Sequence, residues 1–244
     1  MTSRAGPGEI VPGRRAVLEA LRAGVRLERI LIAPGSKPAP ILSEIEQLAG
    51  AAGIPVEVAD RRMLATMARG TAHQGVVAIA GPFVYAVAGP LLAAAAPRLV
   101  LLDGLTDPAN LGSILRSAEA FGFTGILVPR HRSVGVTPAV RKVAAGAADR
   151  VPVARMASPA ETALRIKDHG VPVVGLDPTA RSSYRSLEPG GPICLVVGAE
   201  GRGLSRLVRE RCDQTVRIEM HGKLASLNAA VAAAVVMSWL APRG

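Results

Sequence analysis

The chain has 244 residues, 49% of them hydrophobic and 20% charged, which is enough for a buried core and excludes disordered, collagen-like and disulfide-framework proteins. Its 29 lysines and arginines exceed its 19 aspartates and glutamates, so the formal net charge is +10, which favours nucleic acid as the partner. Because only 2% of the residues are aromatic, contact with RNA or DNA must depend on charge, backbone amides and shape.

The first 80 residues alternate between helical periodicity and short apolar runs, as in a small α/β domain. The predicted elements are a helix at 16–21, a strand at 28–33, a helix at 41–52, a strand at 55–58, a helix capped by Asp60 to about 68, and a strand at 75–80. The segment GPFVYAVAGPLLAAAAP that follows has three prolines and no charge. We therefore expect a first domain at 1–80 and a linker with one short helix at 81–97.

From residue 98 the alternation of strands and helices is more regular. Strands are predicted at 99–103, 125–128, 151–153, 171–176, 193–197 and 215–218, and helices at 108–121, 138–145, 159–168, 204–211 and 226–240. Several strands are continuous apolar runs, which predict a mainly parallel sheet covered on both faces. Ligands of such a sheet bind at the carboxyl ends of its strands. We expect this second domain to span 98–244.

Cysteine usage and apolar run lengths indicate the compartment. The two cysteines and four histidines lack metal-ligand spacing, so neither zinc nor a disulfide framework is expected. The longest apolar runs fall short of the roughly 20 residues that a membrane span needs, and the first residues lack the apolar segment of a signal peptide. The sequence therefore predicts a reduced, cytoplasmic protein with neither a metal nor a membrane partner.

The first motif is LVLLDGLTDPANLGSILRSAEAFGF, which predicts a strand, an Asp-Pro turn and a helix. Asp107 and Pro108 form a good helix start, and Arg116 lies opposite the helix's apolar stripe. In one interpretation Asn110 only supports the turn and Arg116 is a solvated side chain. In the other, both face a phosphate or a ribose at the carboxyl end of a strand.

The second motif, ICLVVGAEGRGLS, predicts a buried strand that enters a glycine-rich turn. Gly198, Gly201 and Gly203 permit positive φ and close approach of a ligand to the backbone. The order differs from a dinucleotide fingerprint, and no P-loop lysine is present. Glu200 is either an exposed loop acid, the partner of an internal arginine, or a contact for a cationic ligand.

The third motif is VRIEMHGKLASLNAAVAAAVVMSWL, whose helix is apolar almost all round and therefore predicts burial in a core or an interface. Ser226 is a natural N-cap for that helix. Asn228, inside its first turn, needs a dedicated partner or a ligand. His221, in the preceding loop, is more typical of a surface or packing residue than of a catalytic base.

Together the segments DGLTDPANLGSILR, VVGAEGRGL and IEMHGKLASLN resemble the three signature motifs of the SpoU/TrmH (SPOUT) family of RNA ribose 2′-O-methyltransferases. The earlier segments IVPGRRAVLEAL and HQGVVAI are similar to the L30e-like substrate-binding domain of bacterial 23S rRNA guanosine 2′-O-methyltransferases. The resemblance implies an L30e-like α/β domain, then a SPOUT α/β domain with a parallel sheet and a C-terminal trefoil knot. It also implies S-adenosylmethionine as cofactor and a homodimer.

The resemblance further implies roles for individual residues. The catalytic residues would be Asn110, Arg116, Glu200, Ser226 and Asn228. The cofactor would lie against the backbone around Leu176, Gly198, Gly203, Ile218, Met220 and Leu227. The RNA would be bound by Arg14, Arg15, Arg29, Lys37, Arg141 and Lys142. Because a guanidinium does not readily release its proton, we expect Arg116 to clamp the phosphate beside the target and to stabilise the developing alkoxide.

The predicted function is methyl transfer from S-adenosylmethionine to a ribose 2′-hydroxyl of RNA, with a guanosine of 23S rRNA as the target. One alternative is a tRNA or antibiotic-resistance rRNA ribose methyltransferase. The other is a catalytically idle RNA-binding or ribosome-assembly protein. The presence of Asn110, Arg116, Glu200 and Asn228 together argues against the idle protein.

Overall fold

The computed structural model describes residues 9–22, 24–35, 39–224 and 226–242. The chain divides into two compact units, with the boundary between Val84 and Tyr85. The first unit contains a four-stranded sheet and the second a seven-stranded sheet, each with helices. The predicted fold class, a small α/β domain followed by an α/β domain with a parallel sheet, is confirmed. The trefoil knot stays a prediction.

The first unit is a mixed sheet covered by helices on both faces. Its elements are β1 (Glu9–Pro12), α1 (Arg14–Arg22), β2 (Leu27–Ile32), α2 (Pro40–Ala51), β3 (Val56–Val58), α3 (Arg61–Ala68) and β4 (Val76–Ala80). The sheet order is β1-β4-β2-β3, with β4 antiparallel to both neighbours. Apolar residues of α1 and α2 pack on one face of the sheet and Leu64 of α3 packs on the other. β1 was not predicted, because four residues ending in Pro12 carry little strand signal.

The strands of the second unit all pair in parallel, as predicted. They are β5 (Arg98–Asp103), β6 (Gly125–Pro129), β7 (Val153–Met156), β8 (Val173–Leu176), β9 (Ser182–Ser183), β10 (Ile193–Gly198) and β11 (Gln214–Arg217). Their order in the sheet is β7-β6-β5-β10-β8-β11-β9. The chain runs outward from β5 to β6 on one side, while β10 lies on the other side of β5. Such a switch point opens a crevice at the carboxyl ends of the strands.

Helices cover both faces of this sheet. They are α4 (Ala88–Leu92), α5 (Pro108–Ala120), α6 (Pro138–Ala144), α7 (Ala147–Arg150), α8 (Pro159–Asp168), α9 (Arg206–Arg211) and α10 (Ala229–Leu240). Residues from α4, α8 and α9 share one apolar cluster with alternate residues of β5 and β10. On the other side, α5 packs against α6, α7 and α10. Within the described ranges, no helix is both long and apolar enough to cross a membrane.

Of the linker with one short helix expected at 81–97, the helix is present as α4, but the residues from Tyr85 onward belong to the second unit. Ala86 forms a β-bridge with Ala154, and Leu92 of α4 is 2% exposed in the core of the second unit. The absence of charge that suggested a connector instead allows this segment to bury its leucines.

A buried arginine connects the two helices that later frame the site. Arg98, at the start of β5, donates hydrogen bonds to the carbonyl oxygens of Leu240 and Phe121, at the C-termini of α10 and α5. Its guanidinium also lies 4.8 Å from the centroid of the Phe123 ring. Burial lowers the pKa of Arg98, and the partial negative charge of the two helix ends favours its cationic form. The opposite ends of these helices carry Asn110 and Asn228.

Candidate active site

A cavity of about 400 Å³ opens at the carboxyl ends of β8, β10 and β11. Its walls include all six residues predicted to hold the cofactor: Leu176, Gly198, Gly203, Ile218, Met220 and Leu227. Small-molecule sites have volumes of about 300–1,000 Å³. The structure therefore brings these six residues together around a space of suitable size.

The glycine-rich turn after β10 forms one wall of the cavity. Ala199 and Gly203 exchange backbone hydrogen bonds of 3.1 and 2.8 Å, which close the turn on itself. Gly201 and Gly203 adopt φ values of +73° and +63°, as the sequence predicted. A Cβ on Gly198 would lie 2.2 Å from the carbonyl carbon of Gly203, so only glycine fits there.

Asp177 is a buried wall residue that sequence reasoning missed. It directly follows β8 and is 4% exposed. One carboxylate oxygen, Oδ2, lies 2.8 Å from Nη2 of Arg209 on α9, and the other accepts hydrogen bonds from the backbone and hydroxyl of Thr179. These contacts fasten the wall beside Leu176 to α9. The signal in the sequence was an aspartate directly after an apolar strand.

The walls of the cavity fit the predicted cofactor, which has a flat nucleoside and polar edges. Leu176, Ile218 and Leu227 offer apolar surface, while the backbone amides of Met220 and Leu227 donate no hydrogen bond to any described residue. Amides of this kind need an acceptor when a ligand displaces water from them. S-adenosylmethionine would be held between these apolar side chains and unpaired amides.

Three side chains, one from each motif, meet at the edge of the cavity and are called the polar cluster: Asn110, Glu200 and Asn228. The Oε1 atom of Glu200 accepts a 2.9 Å hydrogen bond from Nδ2 of Asn110 and another from Nδ2 of Asn228. Nδ2 of Asn228 is also 2.9 Å from Oδ1 of Asn110. The partner that the sequence required for Asn228 is therefore Glu200 together with Asn110.

The prediction that Ser226 caps the last helix is wrong. α10 begins at Ala229, and its N-cap is Asn228, whose Oδ1 accepts hydrogen bonds from Ala230 N at 2.9 Å and Val231 N at 3.2 Å. Asn228 thus lies before the first turn rather than inside it, and its amide group caps the helix while its NH₂ joins the polar cluster. Ser226 is exposed and lines the cavity.

Arg116 lies on the exposed face of α5, opposite the apolar stripe, as predicted. Its side chain forms no hydrogen bond or ion pair with a described residue. The other four residues predicted to be catalytic, Asn110, Glu200, Ser226 and Asn228, therefore make no hydrogen bond or ion pair with Arg116 in this structure. The structure joins Asn110, Glu200 and Asn228 and places Ser226 on the same cavity, but leaves Arg116 free.

The predicted RNA contacts of the first unit have different surroundings. Arg15 is exposed. Arg14 is partly exposed and donates from Nε to the carbonyl oxygen of Gln74 at 3.0 Å. Arg29 is exposed and lies 3.7 Å from a carboxylate oxygen of Glu57. Lys37 lies outside the described residues.

In the second unit the two neighbouring basic residues of α6 point into different surroundings. Lys142 is exposed, but the side chain of Arg141 is 9% exposed and lies 3.5 Å from Asp149. Burial raises the pKa of Asp149, and the charges of Arg141 and Arg150 act in the opposite direction. The prediction that Arg141 binds RNA stays a prediction, which the burial of this side chain beside Asp149 disfavours.

Profiles of two known families match consecutive parts of the chain. The SpoU rRNA Methylase family matches residues 97–238, and the family described as RNA 2′-O ribose methyltransferase substrate binding matches residues 10–86. The putative TrmH family tRNA/rRNA methyltransferase YacO of Bacillus subtilis is 40% identical over 94% of this chain and 93% of its own length. An uncharacterised tRNA/rRNA methyltransferase of Mycolicibacterium vanbaalenii is 44% identical over 96% of this chain and 76% of its own length.

Solved structures agree with these relatives. The SpoU methyltransferase AviRb from Streptomyces viridochromogenes, in complex with AdoMet, superposes with a TM-score of 0.77 at 25% identity and covers 95% of this chain and 88% of its own. An AdoMet-bound rRNA methyltransferase from Sinorhizobium meliloti has a TM-score of 0.74, also at 25% identity, and covers 95% of this chain and 85% of its own.

The chain belongs to the SpoU rRNA methylase family. The predicted class of enzyme, an S-adenosylmethionine-dependent RNA ribose 2′-O-methyltransferase of the SpoU/TrmH type, is thereby confirmed.

Proposed function

We propose that this enzyme methylates the ribose 2′-hydroxyl of a guanosine in 23S rRNA, as a cytoplasmic homodimer. The observation that carries the proposal is the position of the polar cluster at the edge of the cavity that fits S-adenosylmethionine. The guanosine target rests on the resemblance of the segments IVPGRRAVLEAL and HQGVVAI to the substrate-binding domain of bacterial 23S rRNA guanosine 2′-O-methyltransferases. The cytoplasmic setting is supported by two cysteines that are both free thiols.

The cofactor supplies an electrophilic methyl group, so the protein's task is to align a ribose hydroxyl with it and to help that hydroxyl lose its proton. The walls around Leu176, Met220 and Leu227 hold the cofactor in one orientation. The polar cluster offers Oδ1 of Asn110 and the carboxylate of Glu200 as hydrogen-bond acceptors near the ribose. The proton leaves to water or to one of these acceptors.

Arg116 acts on the RNA rather than on the cofactor. It is outside the cavity wall and has no hydrogen-bond or ion-pair partner among the described residues, so its guanidinium can form two parallel hydrogen bonds with a phosphate. Bound there, it fixes the nucleotide and lies close enough to stabilise negative charge that develops on the ribose oxygen. A side chain already bonded to Glu200 could not reach a phosphate in this way.

The first unit delivers the RNA. It matches a substrate-binding family, and the exposed Arg15 forms no ion pair with a residue in the described ranges, so it can meet phosphates. We expect residues 85–244, expressed alone, to bind S-adenosylmethionine with unchanged affinity but to methylate rRNA poorly. Full activity of that fragment on rRNA would contradict the role of the first unit.

The homodimer is supported by the exposed side of α10. Val231 is 49% exposed, and Val235 lines a second cavity of about 420 Å³ next to Trp239. An apolar helix face of this kind is usually covered by another molecule. Sedimentation equilibrium at micromolar concentration should give twice the chain mass of 25.1 kDa. V235E should give a monomer with reduced activity. A fully active monomer would show that the reaction does not require the dimer.

One experiment decides between the RNA targets. Mass-spectrometric mapping of ribose methylation on rRNA and tRNA, from cells with and without the gene, should show loss of methylation at one guanosine of 23S rRNA only. Loss in tRNA would support the alternative that the tRNA/rRNA names of the relatives leave open. An unchanged map, with no S-adenosylmethionine binding in calorimetry, would support the idle RNA-binding protein.

A further inference from the structure

The loop between β6 and α6 carries three consecutive basic residues at its exposed tip: Arg130, His131 and Arg132. The side chains of both arginines form no hydrogen bond or ion pair with a described residue. Arg132 adopts φ +55°, a left-handed conformation that non-glycine residues rarely occupy. The function described above assigns nothing to this loop.

Both ends of the loop are fixed by hydrogen bonds. At one end the amide of Arg130 donates to the carbonyl oxygen of Met156 at 2.8 Å, at the end of β7. At the other end the hydroxyl of Ser133 and the amide of Val134 donate to the carbonyl oxygen of Leu105, at 2.9 and 2.8 Å. The tip is therefore held in place as part of the sheet's carboxyl edge.

A third arginine stands beside the loop on β7. The guanidinium of Arg155 lies 4.3 Å from the centroid of the Tyr85 ring, and its Nη2 donates to the Tyr85 hydroxyl at 3.0 Å. That hydroxyl also accepts a 2.9 Å hydrogen bond from the amide of Val136. A Cβ on Gly135 would lie 2.5 Å from Nη2 of Arg155, so a larger residue there would displace the end of the Arg155 side chain. Arg155 is exposed, which leaves the rest of its guanidinium open to solvent.

The position of these arginines relative to the polar cluster follows from the anchors. Leu105 belongs to the turn between β5 and α5, and Asn110 lies in the first turn of α5. The carboxylates on the same edge are already engaged, because Asp103 accepts a hydrogen bond from Ser205 N and Asp107 accepts one from Ala109 N. Among the described residues neither carboxylate forms an ion pair with Arg130 or Arg132, so both guanidinium groups can meet a phosphate at this edge of the sheet.

We propose that Arg130, Arg132 and Arg155 form a phosphate-binding surface that grips the RNA strand next to the target ribose; this inference rests on the proposed RNA methyltransferase function. Guanidinium groups bind phosphate through paired hydrogen bonds. The loop tip has no Phe, Tyr or Trp, and its two arginines carry the charge that a phosphate needs, so we assign them to the RNA backbone and not to its sequence. Arg116 and this surface then hold the strand at two places.

The test compares charge removal at this loop with the same removal at the opposite edge of the sheet. R130Q/R132Q removes two free cations from the loop. The matched control is R165Q/R211Q, whose exposed arginines lie in the last turns of α8 and α9, before the amino ends of β8 and β11. The probe is in vitro-transcribed 23S rRNA, with its Kd measured by filter binding over a series of salt concentrations. Calorimetry with S-adenosylmethionine shows that each variant has a folded cofactor site.

R130Q/R132Q should weaken RNA binding by about tenfold and reduce the slope of log Kd against log salt by roughly 1.4, since each single-strand phosphate contact contributes about 0.7. R130K/R132K, which keeps both charges but loses the paired donors, should keep the salt slope of the wild type and lose less affinity than R130Q/R132Q. Cofactor affinity should be unchanged in all variants. If R130Q/R132Q and R165Q/R211Q change the slope equally, or if R130K/R132K reduces the slope as much as the glutamine variant, the proposal is wrong.

Failure of the proposed function would give a different result from failure of this inference. If the wild type binds the transcript but methylates neither rRNA nor tRNA, the proposed methyltransferase function is wrong. The salt slopes of the variants would still show whether the loop binds RNA. Should R130Q/R132Q not fold, R132G serves instead, because glycine suits the left-handed backbone at that position. R132G should reduce the slope by about 0.7, and an unchanged slope would overturn the proposal.

Discussion

The polar cluster and the arginines around it lie on the same edge of the sheet but use their polar atoms differently. Asn110, Glu200 and Asn228 are bonded to one another, and Asn228 also caps α10. The side chains of Arg116 and Arg130 have no hydrogen-bond or ion-pair partner among the described residues. The side chains of the polar cluster are therefore held in position when the chain folds, while the guanidinium groups of Arg116 and Arg130 remain available to a ligand.

This difference matches the two kinds of ligand. The entropy of ordering Asn110, Glu200 and Asn228 is lost during folding, so the cofactor and the ribose meet groups that are already in position. Free arginines keep their rotamers until RNA binds and can adjust to a large, flexible partner. In the proposed function, the fold thus sets the reaction geometry, and the RNA is located by side chains that become ordered on binding.

The largest effect that this comparison predicts is at Arg116. R116A should lower kcat by about 10²–10³-fold, because the variant loses a donor to the transition state. S-adenosylmethionine affinity should stay within about threefold, since no cavity wall is touched. Methyl transfer from labelled cofactor to rRNA measures kcat, and calorimetry measures the cofactor.

R116K is the matched variant for this position. It keeps the positive charge but loses the paired donors, so its kcat should lie between those of the wild type and R116A. A loss of cofactor affinity above tenfold in R116A would mean that Arg116 helps to hold the cofactor, as the residues of the cavity wall do, and does not wait for RNA.

A smaller effect separates the two roles of Asn228. N228A should lose the helix cap, at about 1 kcal/mol of unfolding free energy, and also the amide bonded to Glu200. N228S can still cap α10 but cannot reach Glu200. We therefore expect both variants to lose activity by at least about tenfold, while only N228A lowers the thermal unfolding midpoint.

The result for N228S decides the matter. Full activity would show that the polar cluster is dispensable and that Asn228 is only a cap. Equal unfolding midpoints of N228A and N228S would instead show that the cap contributes nothing.

Much of the fold was accessible from the sequence because its signals are local. The predicted helix at 159–168 coincides with α8, where Ser158 caps the first turn and apolar residues recur at helical spacing. β5 and β10 were found to within a residue because they are continuous apolar runs. The two-residue β9 was missed, since its pairing with β11 arises from tertiary position and not from residue type.

The site was predictable in its members but not in its contacts. All six cofactor residues line one cavity, because they follow strands whose carboxyl ends must meet. The bond between Asn110 and Glu200 joins residues 90 apart, and that between Asn110 and Asn228 joins residues 118 apart, so only the topology reveals them. The same holds for Asp177 and Arg209, which lie on different elements.

The smallest predicted effect concerns Arg141 and Lys142, which are adjacent in the sequence but differ in burial. K142Q should weaken rRNA binding two- to threefold and reduce the salt slope by about 0.7, without changing stability. R141Q should leave the slope unchanged and cost about 3 kcal/mol of unfolding free energy, because it strands the carboxylate of Asp149 in a largely buried place. Filter binding and urea unfolding measure the two quantities.

The pH dependence of R141Q provides an independent check. Burial already raises the pKa of Asp149, and the charge of Arg141 opposes that rise, so losing Arg141 raises this pKa further. A carboxyl whose pKa is higher in the folded than in the unfolded state binds its proton more tightly when folded, so the deficit of R141Q should grow as pH rises through that pKa and shrink as pH falls. A deficit that does not vary with pH would place the cost in lost packing instead. If K142Q and R141Q changed the salt slope equally, Arg141 would have to leave Asp149 when RNA binds. The buried Arg141 and the exposed Lys142 would then both contact phosphates.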